Sequence, residues 1–334
     1  MHNFKLLPNS TRTGWQSELA YAITSVAELL HRLELDHIAD RVVLDPDFRL
    51  RVPRAFVDKM QRGDSADPLL AQVLPLIAEN DQRGQIDPVG DLEAMTSPGV
   101  LHKYRGRVLL ITTGACAVHC RYCFRRHFPY ADANPIKNGW HEALTYLATH
   151  DDIREVILSG GDPLLMANDK LSLLLAELEQ ITHIKWLRIH TRIPVVLPSR
   201  IDTNLITLLH QLRFKTTIVI HANHANELMA DEARALNRLA DGSVTLLNQS
   251  VLLRGVNDSA DALSRLSKRL FDCRVLPYYL HMLDPVQGAM HFDVPQEHAV
   301  TIVDELRANL PGYLVPRLVR EIQGETSKTA IFTI

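Results

Sequence analysis

Residues 112–130 read TTGACAVHCRYCFRRHFPY and hold Cys116, Cys120 and Cys123, three of the four cysteines in the chain. So dense a thiolate trio, with no partner cysteines nearby, suits a metal or cluster better than disulfides. A four-iron, four-sulfur cluster held by three thiolates keeps one iron open for another ligand, whereas structural zinc usually takes four protein ligands. The spacing favours the cluster, and a zinc site completed by His119 or His127 is the alternative.

The composition is that of an enzyme rather than of a nucleic-acid or membrane protein. The 334 residues include 36 Lys and Arg against 39 Asp and Glu, a net charge of −3, and no long basic run. No apolar stretch approaches the ~18 residues of a membrane span. The N-terminus MHNFKLLPNSTRTGW lacks the regions of a signal peptide. We therefore expect a protein of the reducing cytoplasm, with no nucleic-acid or membrane partner.

Residues 1–100 form an N-terminal region with little visible chemistry. Apolar residues recur at helical spacing over residues 15–33, and Asp67-Pro68 is typical of a helix start before residues 69–77. We expect this region to be a helical extension packed on a larger domain.

From residue 101 to 315 the pattern changes to short apolar runs that alternate with amphipathic windows. The runs predict six strands at residues 107–113, 155–159, 186–191, 216–221, 244–250 and 274–281. The windows predict helices near residues 139–149, 169–181, 203–212, 226–240, 259–271 and 295–310. Such alternation favours parallel strands joined by right-handed crossovers, as a barrel or an open doubly wound sheet.

The residues at the ends of these strands favour the barrel. The predicted strands end in polar residues, namely Thr113, Ser159, His190, His221, Gln249 and His281. In a barrel these ends converge on one face, where chemistry is normally built. Six βα units are two short of a full barrel, so we expect an α/β fold with an open, partial (β/α)6 barrel, followed by a short C-terminal segment at residues 316–334.

A glycine-rich turn follows the second predicted strand. Ser159, Gly160, Gly161, Asp162 and Pro163 would let backbone groups approach a ligand closely. Alone, this sequence is also that of an ordinary βα turn. Together with the cysteine spacing it resembles the radical S-adenosylmethionine (SAM) superfamily, whose fold is a partial (β/α)6 TIM-like barrel. The resemblance implies a 4Fe-4S cluster on Cys116, Cys120 and Cys123 that binds SAM and generates a 5′-deoxyadenosyl radical.

Two polar stretches outside that core allow two interpretations each. Residues 123–127, CFRRH, are either a solvated basic loop or an anion clamp in which an arginine holds a carboxylate. Residues 324–328, GETSK, end in Lys328, which is either a surface lysine or the Schiff-base lysine of a pyridoxal phosphate enzyme. A third feature, His221 and His224, has metal-like spacing, but at a strand end the pair is out of helical phase and we reject a metal site there.

A longer set of motifs is similar to the lysine 2,3-aminomutases over about residues 100 to 330. The motifs include HKYRGRVLLITTGACAVHCRYCFRRHFPY, SGGDPL, RIHTRIPVVLPSRI, HANHANE, LLNQSVLLRGVND, PYYLHMLD and GYLVPRLVREIQGETSK. The resemblance implies that Lys328 carries pyridoxal phosphate beside Lys103 and Tyr104. It implies that Arg125 binds the α-carboxylate of L-lysine, while Asp284 and Glu321 hold its ε-ammonium.

The resemblance also assigns roles to further positions, at one of which this chain has a different residue from the family. The turn of Ser159, Gly160, Gly161 and Asp162, together with His221, Gln249 and Ser250, would contact SAM. His281 stands where the family has a tyrosine near the pyridoxal ring. Cys273, outside the trio, is expected to be a small buried hydrophobic residue.

The implied activity is that of an isomerase that converts L-lysine to β-lysine with an electron donor of the flavodoxin or ferredoxin type. The motifs are nearest to the bacterial branch whose β-lysine is attached to elongation factor P by a separate ligase. Two alternatives are an aminomutase acting on arginine or glutamate, and a non-catalytic iron-sulfur or zinc protein. Glutamate is disfavoured because its side chain would meet the like charges of Asp284 and Glu321.

Overall fold

The computed structural model describes residues 14–131, 133 and 140–332. The first thirteen residues, which include most of the N-terminus considered above, lie outside the described residues. The strands are β1 Met95–Ser97, β2 Val100–Tyr104, β3 Arg107–Thr113, β4 Glu155–Gly160, β5 Trp186–Thr191, β6 Lys215–Ile220, β7 Thr245–Val251, β8 Leu276–His281, β9 Arg317–Arg320 and β10 Thr329–Ala330. The α-helices are α1 Trp15–Ala20, α2 Val26–Arg32, α3 Arg54–Val57, α4 His141–Thr149, α5 Asn168–Gln180, α6 Ile193–Val196, α7 Thr203–His210, α8 Ala230–Asp241, α9 Ala260–Asp272 and α10 Gln296–Asn309.

One ten-stranded sheet organises the chain, with its strands in sequence order from β1 to β10. Strands β3 to β9 are parallel, each paired with the next. Antiparallel pairs flank them, with β1 on β2 and β2 on β3 at one end and β10 on β9 at the other. The sheet starts at β1 and finishes at β10, so the predicted open, partial barrel is confirmed.

The six predicted strands correspond to β3 through β8. The bounds of β5 agree with the predicted run, and β8 starts two residues later than predicted. Arg274, placed in that strand by the sequence, has φ of 60° and therefore lies in a turn. A seventh parallel strand, β9, follows α10 and was not predicted.

The helices that connect the parallel strands follow the predicted windows. Ser259 begins α9 by accepting a hydrogen bond from the backbone N–H of Ala262, and Asp202 begins α7 by accepting one from Leu205. None of the described helices is long and apolar enough to cross a membrane.

The N-terminal region is helical only in short segments, and the helix predicted at residues 69–77 is wrong. Residues 68–74 form successive turns in which hydrogen bonds to the third and fourth preceding residues mix. The carbonyl of Gln72 accepts a hydrogen bond from the backbone N–H of Arg121, in the cysteine loop, at 2.9 Å. This contact with a distant segment takes the acceptor that a continuing helix would use.

A continuous hydrophobic core joins the N-terminal region to the barrel. It includes Leu29 and Phe56 from the N-terminal helices and Leu187 and Ile220 from the sheet. Cys273 belongs to the same core with no exposed surface, which confirms its expected burial. The N-terminal region is thus held in place by burial of apolar surface, worth roughly 25 cal/mol per Å².

Candidate active site

A cavity of about 530 Å³ lies inside the barrel at the carboxyl ends of the parallel strands. Of the strand-end residues named above, Ser159, His190, His221, Gln249 and His281 line it. Fifteen site residues predicted from the sequence line this one cavity, whereas Ser250, which was also expected to contact SAM, does not. The fifteen are Lys103, Tyr104, Cys116, Cys120, Cys123, Arg125, Ser159, Gly160, Gly161, Asp162, His221, Gln249, Asp284, Glu321 and Lys328.

The cysteine loop leaves β3 and reaches the cavity as a series of tight turns. The three thiols are free, and Cys123 N–H donates to the carbonyl of Cys120 at 3.0 Å. Burial and the neighbouring Cys120 raise the pKa of Cys123 to about 11, and burial also raises the pKa of Cys116 well above its usual value. A positively charged metal group is the natural compensation for three thiolates in such a place.

A buried ion-pair network fixes this loop to the N-terminal region. Arg121 is fully buried, and its Nε donates to Glu79 at 2.7 Å. Arg126 donates to the same carboxylate at 2.8 Å. Both guanidinium groups lie over the ring of Phe48, at 4.5 and 4.6 Å. These contacts order the backbone between and after the cysteines.

The two histidines of the zinc alternative make contacts away from the thiols. His119 Nδ1 lies 2.7 Å from the carbonyl of Arg49, and its ring stacks on Phe48. His127 Nε2 lies 3.1 Å from the carbonyl of Gln287. Among residues 14–131, 133 and 140–332, no three His, Cys, Asp or Glu side chains are grouped to hold a single metal ion. Both imidazoles therefore have partners outside the cysteine trio.

The glycine turn after β4 packs backbone to backbone against the cysteine loop. The N–H of Gly161 donates to Thr113 O at 2.6 Å, and that of Asp162 donates to Ala115 O at 2.8 Å. A Cβ on Gly161 would stand 2.3 Å from Ala115 O. Glycine is required here by this close approach, and the turn and the loop form one surface of the cavity.

The carboxylate of Asp162 is used within the protein. It accepts hydrogen bonds from Thr191 Oγ1 at 2.6 Å, from Arg192 N–H at 2.7 Å and from Leu164 N–H at 3.1 Å. Burial raises its pKa. Asp162 therefore ties the glycine turn to the end of β5.

A chain of five alternating charges crosses the cavity wall. Arg125 Nε donates to Asp91 at 2.6 Å, and Lys103 Nζ lies 2.6 Å from the other oxygen of Asp91. Lys103 also donates to Glu321 at 3.0 Å, and Lys328 donates to Glu321 at 2.6 Å. The nearby ammonium groups of Lys328 and Lys103 hold the pKa of Glu321 well below its usual value despite its burial.

Asp284 is a buried carboxyl group outside that chain. Its Oδ1 is buried and has no hydrogen-bond partner among the described residues. Burial, reinforced by the charge of Glu321, raises the pKa of Asp284 to about 7. A buried acceptor without a donor is costly and indicates a place for a ligand that can donate a proton or carry positive charge.

Two histidines in the same cavity also lack partners. Nε2 of His190 and Nε2 of His281 are buried without a hydrogen bond among the described residues. Burial lowers both pKa values well below normal, so both rings are neutral. The ring of Tyr279 lies next to that of His281. Nζ of Lys328 lies 5.9 Å from the centre of the Tyr279 ring. This wall offers an aromatic platform and polar atoms to a planar ligand.

The remaining predicted SAM contacts fall into two groups. His221 lines the cavity, with Nε2 2.8 Å from the hydroxyl of Tyr122, and burial lowers its pKa to about 3. Ser250 does not line the cavity, because its side chain faces the core and donates to Ala222 O at 2.8 Å. His224 caps the turn at residues 225–227, which is a structural role.

The donor sets fit the cofactors that the resemblance implies. Three free thiols share the cavity with a glycine turn whose backbone can approach a ligand, as a cluster and SAM require. Lys328, the ring of Tyr279 and the unpartnered His281 fit pyridoxal phosphate, since they supply an amine, a stacking surface and a polar contact.

Sequence reasoning missed Asp91 and Arg192. Asp91 is 1 % exposed and pairs with two predicted site residues. No local pattern marks it, since it lies in a loop far from either partner in sequence. Arg192 belongs to the quoted motif RIHTRIPVVLPSRI but received no role. Its Nη1 lies 2.7 Å from Cys120 Sγ.

The chain is similar to a known protein family and to several known proteins. The family model of the radical SAM superfamily matches residues 110–266. The chain is 46% identical to the L-lysine 2,3-aminomutase of Escherichia coli, over 99% of this chain and 98% of that protein. It is 48% identical to the L-lysine 2,3-aminomutase of Haemophilus influenzae, over 95% of each. A solved radical SAM methyltransferase from Sphaerobacter thermophilus aligns with a TM-score of 0.44 and 18% identity, over 64% of this chain and 66% of that one.

Proposed function

Because the chain belongs to the L-lysine 2,3-aminomutase family of radical SAM proteins, we propose that it is an isomerase that moves the α-amino group of L-lysine to Cβ and releases β-lysine. The observation that carries this proposal is the unpartnered Oδ1 of Asp284, buried in the cavity that also holds the cysteine trio. A substrate with a distal ammonium group supplies the missing donor. L-Lysine is such a substrate.

Arg125 is proposed to bind the α-carboxylate at the other end of the substrate. Asp91 accepts a hydrogen bond from Nε of Arg125 at 2.6 Å and so fixes the plane of the guanidinium group. Among the described residues, the outer nitrogens make one hydrogen bond, from Nη1 to Ser159 Oγ at 3.3 Å, so they could make a two-point contact with a carboxylate. The nearby Asp91 keeps the pKa of Arg125 above its usual value, so the charge is permanent.

Asp284 and Glu321 are proposed to hold the ε-ammonium together. An ammonium group between two carboxylates favours the ionised form of Asp284, whose pKa is about 7 without it. The same pair discriminates against glutamate, whose distal carboxylate would meet two like charges in a buried site. Arginine carries a distal cation as well, so it is the competing substrate that has to be tested directly.

The cofactors would supply the radical and the path for the nitrogen. A reduced 4Fe-4S cluster with bound SAM supplies a 5′-deoxyadenosyl radical, and pyridoxal phosphate allows an amino group to migrate between adjacent carbons. Cys116, Cys120 and Cys123 would hold the cluster, and Ser159, Gly160, Gly161, Asp162, His221 and Gln249 would surround SAM. Lys328 would hold the pyridoxal group, with Lys103 and Tyr104 beside it.

The protein's own part would be to hold the radical source, the pyridoxal group and the substrate in one cavity. Arg125 and Asp284 both line the cavity, and a substrate held between them would present its Cβ to the radical source in a fixed orientation. Exclusion of water also protects a reactive radical from side reactions. A flavodoxin- or ferredoxin-type protein would deliver the electron. We place the reaction in the reducing cytoplasm because exposed clusters are damaged by oxidation.

We also propose that the β-lysine is used to modify elongation factor P through a separate ligase. This proposal is supported by the similarity of the cysteine motif and the GETSK segment to those of the bacterial branch. Free L-lysine is taken as the substrate, because both of its ends find charged partners inside the cavity.

Anaerobic reconstitution tests this proposal. The full chain is loaded with iron, sulfide, pyridoxal phosphate and SAM, reduced, and supplied with L-lysine, L-arginine or L-glutamate in separate reactions. Products are separated by chromatography and identified by mass spectrometry against β-amino acid standards. β-Lysine from lysine alone supports the proposal. Turnover of arginine or glutamate without lysine turnover contradicts it, as does a colourless zinc protein that cleaves no SAM.

A further inference from the structure

Arg192 lies directly after β5, where its guanidinium group reaches the cysteine loop. The residue is 6 % exposed, and its Nη1 lies 2.7 Å from the sulfur of Cys120. We propose that Arg192 donates a hydrogen bond to the sulfur of Cys120 in the cluster-bound protein and thereby raises the reduction potential of the cluster. This inference rests on the cluster of the proposed function, but not on the identity of the amino-acid substrate.

The guanidinium group is held rigidly in this position. Its Nη2 donates to Gln72 Oε1 at 2.6 Å and to Glu227 Oε2 at 2.9 Å. The group also lies over two aromatic rings, with its central carbon 5.3 Å from the ring centre of Phe56 and 5.8 Å from that of Tyr122. Such a clamp fixes the direction of the Nη1 donor, which a free arginine side chain would lack.

Glu227, which clamps Arg192, is itself fixed by the backbone. It has no exposed surface, and its Oε1 accepts hydrogen bonds from the N–H groups of Asn223 at 2.8 Å and His224 at 2.9 Å. Gln72 donates to the same oxygen at 3.1 Å. One oxygen of the Glu227 carboxylate therefore accepts hydrogen bonds from these three groups, and the other accepts one from Arg192. These contacts fix the geometry of the ion pair between Glu227 and Arg192.

The main chain of Arg192 is fixed as well. Its N–H donates to Asp162 Oδ2 at 2.7 Å, and Asp162 belongs to the glycine turn that packs on the cysteine loop. The turn that would face SAM and the arginine that contacts Cys120 are thus fixed to each other through one carboxylate. A shift of the Arg192 backbone away from the cysteine loop would therefore require this turn to move too.

The chemistry of a cluster sulfur explains the direction of the effect. Reduction adds a negative charge to the cluster and its thiolates. A donor and a positive charge at one sulfur stabilise the reduced form more than the oxidised form, so they raise the potential. Burial strengthens this interaction, because little water is present to screen it. Arg192 is therefore a positioning residue that acts through Cys120.

A redox titration of the full chain, reconstituted anaerobically without SAM, pyridoxal phosphate or lysine, tests this inference. Arg192→Gln is compared with the parent protein by following the reduced cluster in electron paramagnetic resonance, with iron and sulfide counted per chain. We expect full iron content and a more negative midpoint potential, equivalent to an about tenfold or greater loss in the equilibrium constant for one-electron reduction. Unchanged potential at full iron content overturns the proposal.

Two further variants separate this role from a structural one. Arg200→Gln removes another fully buried guanidinium, which donates to Leu164 O and Asn168 Oδ1 and contacts no cysteine. We expect the parent potential in that control. If Arg192→Gln retains no iron, Arg192→Lys decides. One ammonium group cannot contact Gln72, Glu227 and Cys120 in the same geometry, so we expect a lowered reduction potential in Arg192→Lys. The parent potential in this variant would overturn the proposal.

SAM binding distinguishes the remaining explanation. Nε of Arg192 is buried without a partner among the described residues, and Arg192 lines the cavity. A variant with weakened SAM affinity and the parent potential would assign Arg192 to SAM alone and overturn the proposal. The redox titration contains no lysine. Its result therefore does not depend on whether the activity assay yields β-lysine.

Discussion

The amine of Lys328 lies 2.6 Å from one carboxylate oxygen of Glu321, while the other oxygen accepts a hydrogen bond from Lys103 at 3.0 Å. Glu321 therefore already has two cationic partners before any ligand binds. If Lys328 is taken up by pyridoxal phosphate, Glu321 loses one partner and becomes free for the substrate's ammonium group. A single carboxylate would thus serve the cofactor lysine first and the substrate afterwards.

Glu321→Gln keeps the shape of the side chain and removes this charge. A hydrogen bond to a charged group contributes about 1.5–3 kcal/mol, so we expect the KM for lysine to rise about 10- to 100-fold. Steady-state kinetics of the reconstituted enzyme measure the change. Glu325→Gln, at an exposed position of the same segment, is the control and should retain the parent KM. An unchanged KM in Glu321→Gln would remove this residue from the substrate site.

Asp284 predicts the pH dependence of lysine binding. Burial and the charge of Glu321 raise its pKa to about 7, while Lys328 and Lys103 act in the opposite direction. The ammonium group of lysine binds the carboxylate form, so kcat/KM should rise with pH up to about 7 and level off above it. The measurement is kcat/KM for lysine from pH 5.5 to 8.5. Asp284→Asn should lose this step, and a profile with the same step in the variant contradicts the assignment.

The same carboxyl group predicts a change in stability that needs no activity. Burial raises the pKa of Asp284 from its ordinary value of 3.8 to about 7 in the folded protein, so the folded state binds more protons than the unfolded state between these values. Stability therefore falls as pH rises through this window. Relative to the parent, Asp284→Asn should gain about 2–3 kcal/mol in free energy of unfolding between pH 5 and pH 8. Urea unfolding of cofactor-free protein at both pH values measures it, with the exposed Asp151→Asn as control.

Gly161→Ala tests the contact between the glycine turn and the cysteine loop. The new Cβ would stand 2.3 Å from Ala115 O, a distance at which the backbone has to move. We expect the cysteine loop to shift and the reconstituted protein to retain less than about half of the parent's iron, with a loss of about 1–3 kcal/mol in stability. Gly312→Ala is the matched control, since nothing lies within 4 Å of its added Cβ. Equal iron content in the two variants would show that the turn does not position the loop.

Lys328→Ala tests the attachment of pyridoxal phosphate. The parent protein, treated with borohydride and digested, should yield a peptide that carries the cofactor on Lys328. The variant should yield no labelled peptide and should lose aminomutase activity by at least about 1000-fold. Lys268→Ala, an exposed lysine on α9, should behave as the parent. Covalent labelling that persists in Lys328→Ala would place the Schiff base on another lysine.

The barrel could be predicted from the sequence because its strands and helices have clear and different periods. The run that forms β5 was bounded correctly, since its side chains alternate between buried and more exposed positions along the strand. The strand β9 was missed because its four residues, Arg317–Arg320, begin and end with arginine and bury only Leu318 and Val319. Its identity comes from pairing with β8, which no local pattern reveals.

The helix expected at residues 69–77 was wrong for a related reason. Its apolar spacing and the capping Asp67 are both present, and Asp67 does accept hydrogen bonds from Leu69 and Leu70. The carbonyl of Gln72 bonds instead to Arg121, and its side chain bonds to Glu227. Tertiary partners thus override the local preference. Asp91 and Arg192 escaped prediction in the same way, since their importance lies in contacts with residues distant in sequence.

An incompletely closed barrel has two free edges, and free edges invite a second copy of the chain to pair with them. Here the outer strands are only three and two residues long, β1 at Met95–Ser97 and β10 at Thr329–Ala330. So short an edge offers few unpaired backbone groups as a template for aggregation. The barrel can therefore remain open to cofactors and substrate while its margins resist the edge-to-edge association that leads to fibres.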